Sequence, residues 1–216
     1  MKKLVGVLAM MFTAMLALAG CVNTDAHVTI EGQDKASGTV EVTTDRALLQ
    51  GASLDDVLAT KIDTRQLDQM AGENWTYEKI ETQDRVGLRF NTVSSMNFVQ
   101  LQDAFQGFEL PVQLGTTEDG FKFAMRGNAP GSTDPNAAKA TMSVTFPGSV
   151  TSTTGPATIE GHTVTFDMVQ GATEYEATGK ANYALFYSVV FGGALLVLTL
   201  IIVLAMAPKA KDTAAH

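Results

Sequence analysis

His27-Val28-Thr29-Ile30-Glu31, followed by Thr39-Val40-Glu41-Val42-Thr43-Thr44, decides the fold. In both runs apolar and polar side chains alternate. Successive side chains of a strand point to opposite faces, so Val28 and Ile30 share one face and Val40 and Val42 another. Gly32-Gln33-Asp34-Lys35-Ala36-Ser37-Gly38 separates the runs and reads as a turn. Two alternating runs around a turn predict an antiparallel hairpin.

Working outward, Ser53-Leu54-Asp55-Asp56 has the form of a capping box with Asp in place of Glu. Leu54, Val57, Leu58 and Ile62 follow at helical spacing, Leu67 and Met70 extend the zone, and Gly72 stops it. Trp75–Thr82 and Val86–Val93 read as strands joined by Gln83-Asp84-Arg85. Ser94 or Ser95 caps a second, shorter helix with Met96, Val99, Leu101 and Phe105 on its apolar side, ended by Gly107. Further strands are expected at Glu109–Leu114, Phe121–Arg126, Thr141–Phe146, Ala157–Ile159 with His162–Phe166, and Thr173–Thr178. Gly127–Asn136 reads as a loop, and Gly148–Pro156 as turn-rich. This order predicts an α+β domain over residues 27–180. Its sheet is mostly antiparallel and curved, with two helices on one face.

The ends of the chain read differently. Lys2 and Lys3 precede an uncharged run, Leu4 to Ala17, and small residues follow: the outline of a signal peptide, residues 1–20. Leu18-Ala19-Gly20-Cys21 resembles the bacterial lipoprotein box. That resemblance implies cleavage before Cys21, diacylglycerol on its thiol and acylation of the palmitate kind. Residues 21–26 are then the lipidated terminus and a linker. At the other end, residues 183–207 carry no charge. About 24 residues at about 1.5 Å each exceed a hydrocarbon core of about 30 Å, so a single C-terminal transmembrane helix is expected. Tyr183 and Tyr187 suit one interface, and Lys209 and Lys211 place the tail, 208–216, in the cytoplasm. The expected location is the cell membrane, with the main domain extracytoplasmic.

Composition narrows the function. Residues 21–182 hold 11 Lys and Arg against 22 Asp and Glu, a net of −11. Phosphate neutralisation needs clustered cations, so nucleic acid is excluded as a partner. Cys21 is the single cysteine, which rules out an internal disulfide or a cysteine metal cluster. His27, His162 and His216 form no HxH or HxxxH pair, so no metal or other cofactor is expected. No P-loop, GxGxxG or GxSxG occurs, and no catalytic residue is assigned. Asp55-Asp56 reads as a helix first turn, and Glu174 with Glu176 as a solvated strand face.

The run from Cys21 through Val28-Thr29-Ile30 and Ser37-Gly38-Thr39-Val40-Glu41-Val42 is similar to the LppM-type envelope lipoproteins of actinobacteria. So are Val144-Thr145-Phe146-Pro147-Gly148-Ser149-Val150 and Gly161-His162-Thr163-Val164-Thr165-Phe166-Asp167. Phe166 stands where that family commonly has Trp, which keeps an apolar aromatic side chain. The resemblance implies an outer-face domain with a lipid-binding-like curved sheet and a role with envelope glycolipids.

Large apolar side chains are the remaining clue to a site. Trp75, Phe90, Phe121, Phe123 and Met125 are the candidate lining of an acyl-chain groove, with Phe121 and Phe123 alternating on one face. The same residues equally serve as core between sheet and helices. The leading expectation is a non-enzymatic, membrane-anchored lipoprotein that binds or senses a lipid or glycolipid. The alternative is a protein-interaction or structural module of an envelope transport or assembly complex. A continuous apolar cavity favours the first and a filled core the second.

Overall fold

The computed structural model describes residues 22–61, 67, 71–127 and 139–182. The chain divides after Ala181, and the unit that ends there is the one described below.

β1 (Val22–Gly32) and β2 (Lys35–Asp45) form the expected hairpin, paired from Val22↔Thr44 to Gly32↔Lys35. Its turn is only Gln33-Asp34, and Asp34 sits at φ 52, a left-handed conformation that Asp tolerates better than most residues. Residues 22–26, expected as a linker, therefore begin β1, and Lys35-Ala36-Ser37-Gly38, expected as turn, opens β2. Thr24, Ala26, Val28 and Ile30 are buried on β1, and Ala36, Gly38, Val40 and Val42 on β2.

A 3-10 turn, Arg46–Leu49, leads to α1 (Leu54–Lys61). The capping box forms as expected. Asp56 N–H donates to Ser53 Oγ at 3.1 Å, and Ser53 N–H returns to Asp56 Oδ2 at 3.2 Å. β3 (Trp75–Glu81) and β4 (Arg85–Thr92) follow. Next comes α2 (Phe98–Gln106), then β5 (Val112–Thr116), β6 (Gly120–Arg126), β7 (Ala140–Thr145) and β8 (Val150–Thr154). β9 (Ala157–Glu160), β10 (Thr163–Asp167) and β11 (Glu174–Lys180) complete the unit.

The strands form two sheets. The larger runs β3-β4-β2-β1-β7-β10-β9 and the smaller β5-β6-β11-β8. β1 and β7 pair in parallel, Thr24↔Ala140 to Thr29↔Thr145, and the other strand pairs are antiparallel. The expectation of an α+β domain built on one sheet is thereby overturned. Strands dominate, and α1 and α2 are short, at eight and nine residues. The physical reason lies in residues 148–156. Their Thr- and Ser-rich run lacks apolar alternation, yet it contains β8, which pairs with β11 across Ala177↔Thr153. β5, β6, β8 and β11 then close a second sheet instead of extending the first.

Among the described residues no helix is long and apolar enough to cross a membrane. The expected spanning helix at 183–207, the tail at 208–216, the leader 1–20, Cys21 and most of the loop expected at 127–136 lie outside the described residues.

One buried cluster joins the two sheets and both helices. On the inner face of the large sheet, α2 covers the β3-β4-β2 side, and Phe105 rests directly over Gly38. A Cβ at Gly38 would lie 2.4 Å from Phe105 Cε2. The small sheet covers the β7-β10 side, where Phe123 of β6 stacks on Phe166 of β10 at 5.9 Å. Phe146 lies over Gly179 of β11 in the same manner, a Cβ there falling 2.3 Å from Phe146 Cγ.

Candidate functional site

The five candidate lining residues all enter this interior. Trp75 is 5% exposed, Phe90 3%, Phe121 4%, Phe123 0% and Met125 3%. Strand alternation puts them there. Trp75 begins β3, and Phe90 is on β4 beside Tyr77 of β3, with rings 6.0 Å apart. Phe121, Phe123 and Met125 are alternate residues of β6, with Met125 opposite Val112 on one side and Tyr175 on the other.

They gather into two aromatic groups. Beneath α2, Trp75 meets Phe105 at 5.5 Å and Phe108 at 5.1 Å, both edge-on, and Phe108 meets Phe90 at 5.1 Å. Between the sheets, Phe166 lies against Phe123 at 5.9 Å and Tyr175 at 5.6 Å. Phe98 meets Phe121 at 6.2 Å, a separate ring contact between α2, which carries Phe105, and β6, which carries Phe123. Edge-on and offset contacts at these distances suit the ring quadrupoles. Phe105, Phe108, Phe98, Phe166 and Tyr175 are thus as much part of the interior as the five candidates. For two of them the signal is a glycine facing the ring: Gly38 of β2 for Phe105, and Gly127, just past β6, for Tyr175, where a Cβ would lie 2.4 Å from the ring.

α2 sits over the first group and is secured at its N-terminus. Its cap is Asn97, not Ser94 or Ser95. Gln100 N–H donates to Asn97 Oδ1 at 2.8 Å, and Asn97 N–H donates to Gln100 Oε1 at 3.2 Å. Phe98 N–H donates to Asp34 Oδ1 of the hairpin turn at 2.9 Å. Met96, expected within the helix, instead pairs its backbone with Ala36. Ser95 donates to Glu31 Oε2 at 2.5 Å, and Ser37 to Glu31 Oε1 at 2.7 Å. These two bonds hold the Glu31 carboxyl below the usual glutamate range. Val99, expected on the apolar side, is 66% exposed. Gly107 ends the helix as expected, and Glu109 beyond it has φ 58, a strained value for a non-glycine residue.

The opposite face of the large sheet is polar. Register aligns Glu78, Arg89, Glu41, Asp25, Thr141 and Asp167 in one row across six strands. Arg89 pairs with both Glu41 and Glu78, and Thr141 donates to Asp25 at 2.5 Å. The adjacent row contains His27, whose Nε2 lies 3.2 Å from the hydroxyls of Thr29 and Thr145. Burial holds this imidazole below its ordinary value. Its partners are hydroxyls, not a carboxylate that would orient a general base. His162 is exposed in the turn between β9 and β10, and its carbonyl accepts Phe146 N–H at 3.0 Å. Among the described residues no group of three His, Cys, Asp or Glu side chains is placed to hold a metal ion. Asp55 and Asp56 do occupy the first turn of α1, and Glu176 pairs with Lys122 on the outer side of β11.

These features define the class: a two-sheet β domain whose apolar interior is rich in aromatic rings, with short covering helices. The chain belongs to the LppM family, since the LppM domain matches residues 23–181. Among solved structures it is similar to the folded domain of LppM from Mycobacterium tuberculosis, determined by NMR. The identity is 19%, the TM-score 0.53, and the match covers 76% of this chain and 92% of that one. At that identity the likeness establishes the fold. An M1 zinc metallopeptidase from Deinococcus radiodurans aligns at 15% identity with a TM-score of 0.27, over 74% of this chain and 42% of that chain. No curated protein matches the chain.

Proposed function

We propose that the chain is a non-enzymatic envelope lipoprotein, acylated at Cys21 and held at the outer face of the cell membrane, that takes up the apolar part of a lipid or glycolipid beneath α2. The observation that carries this reading is the aromatic group formed by Trp75, Phe90, Phe105 and Phe108. It lies under a nine-residue helix that is tied down at its N-terminus and followed by a strained Glu109. A short cover over a ring-lined interior opens at less cost than a continuous sheet, because few backbone hydrogen bonds break. The headgroup would stay outside in the polar surroundings.

Trp75 is the single tryptophan, so its emission reports on this interior alone. The full chain is purified in mild detergent, its bound lipid identified by mass spectrometry, and the protein returned to vesicles containing brominated acyl chains. Uptake beneath α2 quenches Trp75. A lipid-free protein with unquenched Trp75 would end this reading.

A second reading, a protein-interaction module of an envelope assembly, is favoured by the burial of all five candidates within one packed apolar cluster. It expects one dominant protein adduct on crosslinking in intact cells, with Trp75 unaffected by lipid.

A further inference from the structure

We propose that the outward face of α2 and the segment leading into it rest on the bilayer, with Val93 and Val99 among the lipid chains. Val99 and Val93 are the most exposed large apolar side chains among the described residues, at 66% and 57%. Val99 is in the first turn of α2. Asp103 and Gln106 share its outward side, while Phe98, Leu101 and Phe105 face the interior. Val93 follows β4 at once, and its N–H donates to Asn74 O at 3.0 Å. Between the two valines the chain runs along the turn end of the β1–β2 hairpin. Ser95 donates to Glu31, Met96 bridges Ala36, and Phe98 N–H donates to Asp34.

Charge is thinned in the same region. Residues 21–182 include 33 charged side chains, yet from Phe90 to Thr117 only Asp103 and Glu109 are charged. A surface that meets lipid chains is thereby spared the cost of desolvating ions. The chain also leaves the domain here, which makes the bilayer the partner. β11 ends with Lys180 opposite Gly120, and Ala181 N–H donates to Asp119 O at 3.1 Å. Phe121, next along β6, meets Phe98 of α2 at 6.2 Å. Just beyond, residues 183–207 carry no charge, a run of the length that a hydrocarbon core requires. The other exposed apolar side chains lie elsewhere. Leu48, the least exposed of the four, follows the opposite end of β2, and Ile159 is on β9, the edge strand away from β3 and α2.

The contact requires no modification of Cys21. The eleven residues of β1 span roughly 35 Å, at about 3.3 Å each, from the residue after Cys21 to the hairpin turn. Acyl chains on Cys21 would hold the other end of β1, and the domain would then lie along the bilayer with its α2 side down.

Val93→Cys, Val99→Cys and Ile159→Cys are each labelled with NBD in the full chain, beside the parent chain, whose one cysteine is Cys21. Trp75 emission equal to the parent's in detergent shows that each variant keeps the fold. In phosphatidylcholine vesicles carrying doxyl-labelled acyl chains, labels at 93 and 99 lose about twofold or more of their emission once the parent's signal is subtracted. The label at 159 keeps its emission. An unquenched label at either 93 or 99, equal quenching at 159, or a chain that does not float with the vesicles overturns the contact. Mass spectrometry of bound lipid separates this result from uptake beneath α2. A lipid-free chain quenched at 93 and 99 ends the uptake reading and leaves the contact standing, and a lipid-loaded chain unquenched there does the reverse.

Discussion

Gly38 shows how one residue sets a packing layer. It lies within β2, its φ is unremarkable for a strand, and its missing Cβ is what admits the Phe105 ring. Gly38→Ala forces ring and strand apart. Overpacking of this kind costs about 1–3 kcal/mol, read as a lower urea midpoint. An unchanged midpoint would mean that Phe105 simply moves aside. From sequence Gly38 reads as the end of a turn, because glycine beside Lys, Ser and Asp is ordinary turn chemistry. The ring it serves is 67 positions away, beyond any local pattern. His27 carries a different prediction. Its folded pKa is lowered by burial below 6.5, so the unfolded chain takes up the proton first. Stability contributed by neutral His27 is complete above the ordinary imidazole range and falls as pH drops from there toward the lowered folded value. His27→Gln, which keeps hydrogen bonding to Thr29 and Thr145, removes that slope in urea melts taken across the range. The Glu31 contribution is lost in a separate and lower window, below 4.5, since its folded pKa is also lowered and the carboxylate is the stabilised form.

At the scale of elements, α2 depends on its first turn. A nine-residue helix is too short to stand alone in water, so caps and burial decide whether it forms. Asn97→Ala removes the acceptor of Gln100 N–H and costs about 1 kcal/mol in denaturant melts. Because α2 covers Trp75, the variant also reddens Trp75 emission before global unfolding. Loss of stability without that spectral change would place the cap's effect elsewhere. The sequence marks α2 only in part. Gly107 and Phe105 are legible, but Ser94 and Ser95 are as good caps as Asn97, and only the Ala36–Met96 bridge decides among them. The β1–β2 hairpin, β3, β4, β6, β7 and β10 are legible because alternation is local. β8 is not, since its Ser and Thr side chains carry no apolar period. Nor is the parallel pairing of β1 with β7, which joins positions 116 apart, Thr24 with Ala140.

For the whole unit, the central question is whether two sheets behave as one body. Alternation tells which side chains point inward but not which sheet they belong to. That is why Trp75, Phe90, Phe121, Phe123 and Met125 can be named as inward-facing from sequence, while the division that puts Trp75 and Phe90 beneath α2 and Phe123 between the sheets cannot. The structure places the junction at Phe166, fully buried on β10 of the large sheet and in ring contact with Phe123 and Tyr175 of the small one. Phe166→Ala removes both contacts and leaves a cavity at the join, costing about 3–5 kcal/mol. A typical domain is stable by about 5–15 kcal/mol, so the loss is a large share of the total. Trp75 lies on β3, at the far edge of the same sheet, under α2 rather than under the small sheet. If the buried cluster couples the sheets, Trp75 fluorescence and far-ultraviolet circular dichroism shift together in the variant, as one transition at a lower midpoint. If the small sheet melts alone, circular dichroism falls first while Trp75 stays buried. That second outcome would make the seam a hinge between separately stable sheets, and would give a lipid a route into the interior between the sheets instead of beneath α2.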